Sequence, residues 1–402
     1  MTPAARQYLA VTGCYWAFTL TDGALRMLVV LYFYGLGYSP LQVATLFLLY
    51  EFFGIVTNLL GGWLAARTGL NFTLRAGLLL QVIALSMLLV DASLLTVAYV
   101  MVAQALSGIA KDLNKMSAKS SIKLLVPADA TNRLYRWVAL LTGSKNALKG
   151  LGFFVGALLL SETGFRGAIS ILVIALSLVF LASLAWLKVD TGGVRYKVKF
   201  TDVFSKSAAV NRLSVARFFL FGARDVWFVV ALPVFLQSQL QWTYIQVGSL
   251  LAVWVIGYGV VQSFAPMLTG RRGSIPDGRT VLVWGVGLCS TPLAIAVALY
   301  CEVSAAHCVV AGLLLFGVVF AVNSAIHSYL IVAYARKEGV SLDVGFYYMA
   351  NAAGRLFGTA LSGAIYQWVG FEACLLASML MAVAASLVSV GLPRRWEMVR
   401  TT

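Results

Sequence analysis

The stretch Leu36-Gly-Tyr-Ser-Pro-Leu-Gln42-Val-Ala-Thr-Leu46 returns as Leu240-Gln-Trp-Thr-Tyr-Ile-Gln246-Val-Gly-Ser-Leu250, at an offset of 204 residues. In both copies a polar turn leads into an apolar run, with Gln, Val and a small residue in register. The same offset pairs Leu64, Arg67 and Gly69 with Leu268, Arg271 and Gly273. Further along, an offset of 206 pairs Lys149 with Arg355, Gly152 with Gly358, and Gly164-Phe165 with Gly370-Phe371. An offset of 209 pairs Gly108 and Asn114 with Gly317 and Asn323. The chain is therefore a duplication.

What is duplicated follows from composition. Of 402 residues, 61% are hydrophobic and only 11% charged, whereas soluble domains carry about 25% charged residues. Apolar runs between polar or Gly/Pro breaks predict twelve membrane-spanning helices, since a span takes roughly 20 residues. They fall at 8–35, 40–66, 73–91, 94–118, 134–161, 166–188, 213–236, 244–268, 280–300, 306–334, 344–369 and 372–392. An offset of six helices preserves direction, so the repeat is parallel, about an axis along the membrane normal. The predicted fold is an all-α membrane protein of two pseudo-symmetric six-helix bundles, residues 1–190 and 213–402, joined by a basic linker at 191–212.

The net charge of +15 raises the possibility of nucleic-acid binding, which the placement of the charges answers. With the N-terminus inside, Lys and Arg collect in the cytoplasmic segments: Arg6, Arg67, Arg75, the run from Lys188 to Arg212, then Arg271, Arg272, Arg336 and Arg394. The opposite loops hold one base, Arg166, beside Asp91, Glu162, Glu302 and Glu372. That asymmetry predicts both termini in the cytoplasm and no nucleic-acid partner. The apolar stretch after Arg6 is too long and continuous for a cleavable signal peptide. The five cysteines form no metal-binding spacing; Cys301 and Cys308 could meet across an external loop, but packing is the simpler reading. No metal, cofactor or catalytic set is expected.

An ionisable group inside a bilayer costs about 2.5–3.5 kcal/mol on insertion scales, so each needs a role. The predicted central cations are Arg26, Lys111, Lys145, Lys149, Arg224 and Arg355; the central acids are Asp22, Glu51, Asp112 and Asp225. Six against four leaves two cations without an acid, which points to a cavity for a multivalent anion. Asp22 and Arg26 are four apart and can pair, as can neighbours Arg224 and Asp225. Structural ion pairing is the competing role for both, and a solvated stripe is the competing role for Lys111, Lys115 and Lys119. Lys145 and Lys149 share one helical face, and Lys149 and Arg355 match by the repeat. These three are the favoured substrate contacts, since guanidinium and ammonium groups suit tetrahedral oxyanions. Glu51 or Asp22 could carry a coupling proton. Asn114, Asn323 and His327 are cavity-lining candidates, or packing residues with satisfied hydrogen bonds.

The turn Gly62-x-Leu64-x-x-Arg67-x-Gly69 resembles the loop 2–3 signature of major facilitator transporters, whose glycines allow a tight turn and whose basic residues hold a cytoplasmic gate. Ala66 stands where that signature has an acid, so the usual gate pair is weakened or replaced here. More specifically, Ala24-Leu-Arg-Met-Leu-Val-Val-Leu-Tyr-Phe33, Leu49-Tyr-Glu-Phe-Phe-Gly54, Gly108-Ile-Ala-Lys-Asp-Leu-Asn-Lys-Met-Ser-Ala-Lys119 and Gly222-Ala-Arg-Asp-Val-Trp-Phe228 resemble the ArsJ family of organoarsenical efflux permeases. The resemblance implies a monomer in the inner membrane that exports 1-arseno-3-phosphoglycerate for arsenate resistance. It also implies a functional link to glyceraldehyde-3-phosphate dehydrogenase, which makes that ester when arsenate replaces phosphate. By analogy with organophosphate transporters of the same fold, Arg26 and Arg224 join the candidate substrate contacts. A phosphorylated sugar or other organic anion would ask for much the same cavity.

Overall fold

The protein, seen in a computed structural model, is described over residues 3–68, 70–125, 131–187, 207–269, 276–334 and 340–394. Among these residues the regular structure is helical: α1 (Pro3–Gly35), α2 (Pro40–Thr45), α3 (Leu48–Thr68), α4 (Leu70–Met87), a 3-10 turn (Ala92–Leu94), α5 (Val97–Leu125), α6 (Thr131–Trp186), α7 (Ala208–Phe228), α8 (Ala231–Ser238), α9 (Tyr244–Thr269), α10 (Gly278–Tyr300), α11 (Ala305–Tyr334), α12 (Val340–Trp368) and α13 (Phe371–Ser389). Eight stretches among them are long and apolar enough to cross a membrane: Leu9–Gly35, Pro40–Asn58, Ser144–Trp186, Ala208–Ser238, Tyr244–Ala265, Gly278–Tyr300, Ala305–Ile331 and Phe371–Ser389, with Asn71–Met87 a shorter apolar helix. The predicted spans at 94–118 and 344–369 fall on α5 and α12, outside those eight; the first of them carries Lys111, Asp112 and Lys115. Those at 134–161 and 166–188 lie end to end in α6, divided by Gly164 at φ +68°.

The repeated motif has a local cause. Ser39 caps α2: its hydroxyl accepts from the Gln42 amide at 3.3 Å, while the Gln42 side chain accepts from the Ser39 amide at 2.8 Å. Pro40 occupies the first turn, where it sacrifices no helical hydrogen bond. In the second copy Thr243 stands three residues before Gln246 at the start of α9. The glycine match at offset 206 is equally physical. Gly164 and Gly370 both take positive φ, +68° and +114°, a region closed to most side chains.

The chain forms two compact units. The first comprises Met1–Leu36, Phe52–Val198 and Tyr244–Ile256; the second comprises Gly37–Glu51, Lys199–Thr243 and Gly257–Thr402. Each therefore holds most of one repeat plus the opening of the other repeat's second helix. Small residues explain where those openings pack. In the second unit, a Cβ placed on Gly363 of α12 would fall 2.4 Å from Ala44 Cβ and 2.6 Å from the Pro40 carbonyl. In the first, a Cβ on Gly248 of α9 would fall 2.4 Å from Ala157 Cβ of α6. Ala44 corresponds to Gly248, and Ala157 to Gly363, so the two contacts are copies of one another.

Inside each unit, glycines also set the main helix contacts. Cβ atoms on Gly152 and Gly156 of α6 would meet the carbonyls of Leu20 and Ala24 on α1 at 2.4 and 2.5 Å. On α12, those of Gly354 and Gly358 would meet the carbonyls of Phe218 and Gly222 on α7 at 2.1 and 2.8 Å. Backbones this close exclude any side chain at the contact.

Candidate functional site

The second unit gathers four of the predicted charges into one cluster. Glu51 opens α3, Arg224 and Asp225 lie in α7, and Arg355 lies in α12. Arg224 Nε meets Asp225 Oδ1 at 2.5 Å, and Arg355 Nε meets Asp225 Oδ2 at 3.2 Å. Arg355 Nη2 reaches Glu51 Oε1 at 2.5 Å. The carboxylates are sealed, at 0% and 1% exposure, while the guanidinium side chains keep 16% and 15%. Two cations face two acids, so the cluster is neutral. That is what makes it tolerable at this depth, since an unpaired buried charge is strongly destabilising. The Arg224 guanidinium also lies over Phe221 and Phe320, at 4.7 and 5.5 Å from their ring centroids.

Helix packing puts Asp225 in reach of Arg355. Gly358 seats α12 against α7 beside Gly222, three residues before Asp225, and a Cβ on Gly358 would lie 3.0 Å from Asp225 Cβ. In the first unit the matching seat is Gly152 on Leu20, and three residues after Leu20 comes Gly23. The acid that holds Arg355 thus has glycine as its counterpart beside Lys149. Lys149 and Lys145 are both partly buried on α6, and Lys149 Nζ lies 5.8 Å from the Phe153 ring centroid.

The first unit also places Asp22 and Arg26 on α1, with Asp22 buried, and builds a second charge group on α5. Asp112, 1% exposed, meets Lys115 Nζ at 2.8 Å and Lys111 Nζ at 4.0 Å. Thr57 donates to its other oxygen at 3.0 Å, and Lys115 donates to Asn58 at 2.7 Å. Of the ten central charges, the first unit holds four cations (Arg26, Lys111, Lys145, Lys149) and two acids (Asp22, Asp112). The second holds Arg224 and Arg355 with Glu51 and Asp225. The surplus of two positive charges therefore belongs to the first unit alone.

Sequence reasoning passed over Arg217, which lies four residues into the predicted span 213–236. It is buried at 4% exposure. Its Nε donates to Asn351 at 2.9 Å, and its Nη1 donates to the carbonyl and hydroxyl of Ser324 at 3.2 and 3.1 Å. Its guanidinium lies 4.0 Å from the Phe221 centroid and 5.1 Å from that of Tyr347. The seven-residue spacing to Arg224 was the available signal, since it puts both on one face of α7.

Several other expectations have a location. Asn114 bonds back to the Ala110 carbonyl at 2.9 Å and fills the space over Gly77. Asn323 and His327 are each 1% exposed on α11. All five cysteines are free, including Cys301 and Cys308. Gly62 and Arg67 belong to the helical backbone of α3. Gly69, Arg271 and Gly273, with linker residues 191–206, lie outside the described residues.

Comparison with known proteins agrees with the duplication. Residues 11–223 and 213–398 each match the family described as Major Facilitator Superfamily. The chain is also 28% identical over 169 residues to the quinolone resistance protein NorB of Staphylococcus aureus (strain MRSA252). That match covers 40% of this chain and 34% of the relative, so it spans about a third of the relative's length.

Proposed function

Because the chain belongs to the Major Facilitator Superfamily, and so is a multi-pass membrane transporter, we propose that it is an efflux permease exporting 1-arseno-3-phosphoglycerate by alternating access. The observation that carries an anionic substrate is the charge inventory: among the ten central charges cations exceed acids by six to four, and the two extra cations lie on α1, α5 and α6. The family resemblance read from residues 24–33, 49–54, 108–119 and 222–228 supplies the identity of the anion. The substrate bears an oxyanion at each end, and several separated cations suit it. Arg26, Lys111, Lys145, Lys149, Arg224 and Arg355 are the proposed contacts. Glu51, Asp22 and Asp225 are the groups that exchange ion pairs or a proton during the cycle. Arg224 and Arg355 begin the cycle neutralised by Asp225 and Glu51, so the anion competes with those carboxylates for them.

In this reading α2 and α3 form one span, α7 and α8 another, and α6 two, giving twelve spans with both termini in the cytoplasm of a monomer in the inner membrane. The dehydrogenase supplies the ester inside. Once outside, the ester breaks down to arsenate and 3-phosphoglycerate, which makes export effectively one-way. Pentavalent arsenate presents hard oxygens, so no cysteine is needed to bind it.

The test is uptake of labelled arsenate into everted vesicles, with and without the dehydrogenase, its nicotinamide cofactor and triose phosphate. Uptake that requires the complete set is expected. Uptake of free arsenate alone would sink the organoarsenical reading. Competition by a phosphorylated three-carbon acid without arsenate would favour an organophosphate transporter of the same fold. An arm with a fluoroquinolone covers the activity named for the staphylococcal relative.

A further inference from the structure

Arg217 combines deep burial with an unusual set of neighbours. Its polar partners, Asn351 and Ser324, are neutral, and among the described residues no carboxylate forms an ion pair with it. A guanidinium has five N–H donors. Nε and Nη1 serve the bonds to Asn351 and Ser324, and among the described residues no acceptor meets Nη2. Close by on α11, His327 Nδ1 and Asn323 Nδ2 are buried with no hydrogen-bond partner. His327 follows Ser324 by three residues, on the side of α11 that Arg217 contacts. Tyr258 donates to the Ser324 hydroxyl at 3.0 Å, fixing the α11 side of the arrangement.

The guanidinium and amide N–H groups donate, and the neutral imidazole donates from Nδ1 in one of its two tautomers. A buried cation with no carboxylate partner is costly as it stands. An oxyanion bound here would accept from the guanidinium and the amide, whereas a cation or an apolar group would not. The position is also informative. Arg217 and Arg224 both lie against the Phe221 ring. Their seven-residue spacing is about 10.5 Å along the helix. Unlike Arg224, Arg217 is not neutralised by the Glu51–Asp225 carboxylates.

We propose that Arg217, with His327 and Asn323, forms an oxyanion subsite separate from the Glu51–Arg224–Asp225–Arg355 cluster, and that it takes one terminal group of a substrate anionic at both ends. The inference rests on the anion-transport reading above and deepens it. The subsite reads the second charge, so it separates doubly anionic molecules from singly anionic ones.

The experiment titrates purified full-length protein in nanodiscs with two stable probes, 1,3-propanediol bisphosphate and propyl phosphate, by calorimetry. The native protein should bind the bisphosphate more tightly by roughly 10- to 100-fold, the range expected of charge-assisted hydrogen bonds. Arg217→Gln should bring that ratio close to one while propyl phosphate affinity changes little. Arg217→Lys should recover part of the ratio. A general structural defect would weaken both probes alike and leave the ratio unchanged, and an unchanged ratio overturns the subsite. If Arg217→Gln fails to fold, His327→Leu decides the matter: a ratio reduced by roughly threefold or more supports the subsite, and a native ratio overturns it. Native protein that binds neither probe overturns the anion-transport reading itself, a different result from native binding with an indifferent Arg217.

Discussion

Arg355→Gln tests the ion-pair cluster most sharply. The substitution removes Arg355 from both carboxylates, but their situations differ. Asp225 keeps Arg224 at 2.5 Å, whereas Glu51, 1% exposed, loses its Arg355 ion pair. Removing one partner of a buried pair typically costs about 3–5 kcal/mol, because the other charge stays in low dielectric without compensation. Neutralising Glu51 as well should relieve most of that cost, since replacing both partners is often close to neutral. The double variant Glu51→Gln/Arg355→Gln should therefore be more stable than Arg355→Gln alone by about 2 kcal/mol or more. Urea unfolding of the detergent-solubilised protein, followed by tryptophan fluorescence, measures each corner of the cycle. If the double variant lies within about 0.5 kcal/mol of Arg355→Gln, the pair is not coupled and the reasoning fails.

Gly363→Val should cost about 1–3 kcal/mol by overpacking against Ala44 and Pro40, and Gly248→Val should behave alike against Ala157; native urea midpoints for both would contradict the close approach. Asp112→Asn removes the shared acid from Lys115 and Lys111 and should destabilise by about 3 kcal/mol, against about 1 kcal/mol for Thr57→Val, in the same titration. Asp91, at the cap of the 3-10 turn, has its carboxyl held below its usual 3.8, first by the Ser93 amide and then by the Ser93 hydroxyl. Its contribution is therefore fully present above pH 3.8 and lost as pH falls through the lower folded value. Amide exchange at Ser93, corrected for its intrinsic rate, should be flat from pH 7 to 5 and speed up only in stronger acid; a rise between pH 6 and 5 would refute this.

Much of the helical layout was legible because apolar run length and Gly/Pro punctuation are local signals. The cap at Ser39–Gln42 and the left-handed turns at Gly164 and Gly370 are likewise written in a few adjacent residues. Partner choice was harder to read. The sequence count of six cations against four acids named the charged groups, but not which acid meets which cation. That depends on where Gly358 seats α12 on α7. Nor does spacing along the chain reveal that Glu51 belongs beside Arg355, whose number is 304 higher. Arg217 was missed for a related reason: it lies only four residues from the start of a predicted span, and only its neighbours show it to be buried.

The reciprocal contacts of Ala44 with Gly363 and of Gly248 with Ala157 bear on how the chain is made. The segment from Gly37 to Glu51 emerges early in synthesis, yet its packing surface on α12 comes more than 300 residues later, as the 326-residue separation between Leu41 and Gln367 shows. That segment cannot reach its seat on α12 until α12 has been made. The first repeat therefore waits for the second to finish it, and the second needs Tyr244–Ile256 to leave for α6. Two fragments cut in the 191–206 linker should mature only when produced together, each supplying the missing piece of the other.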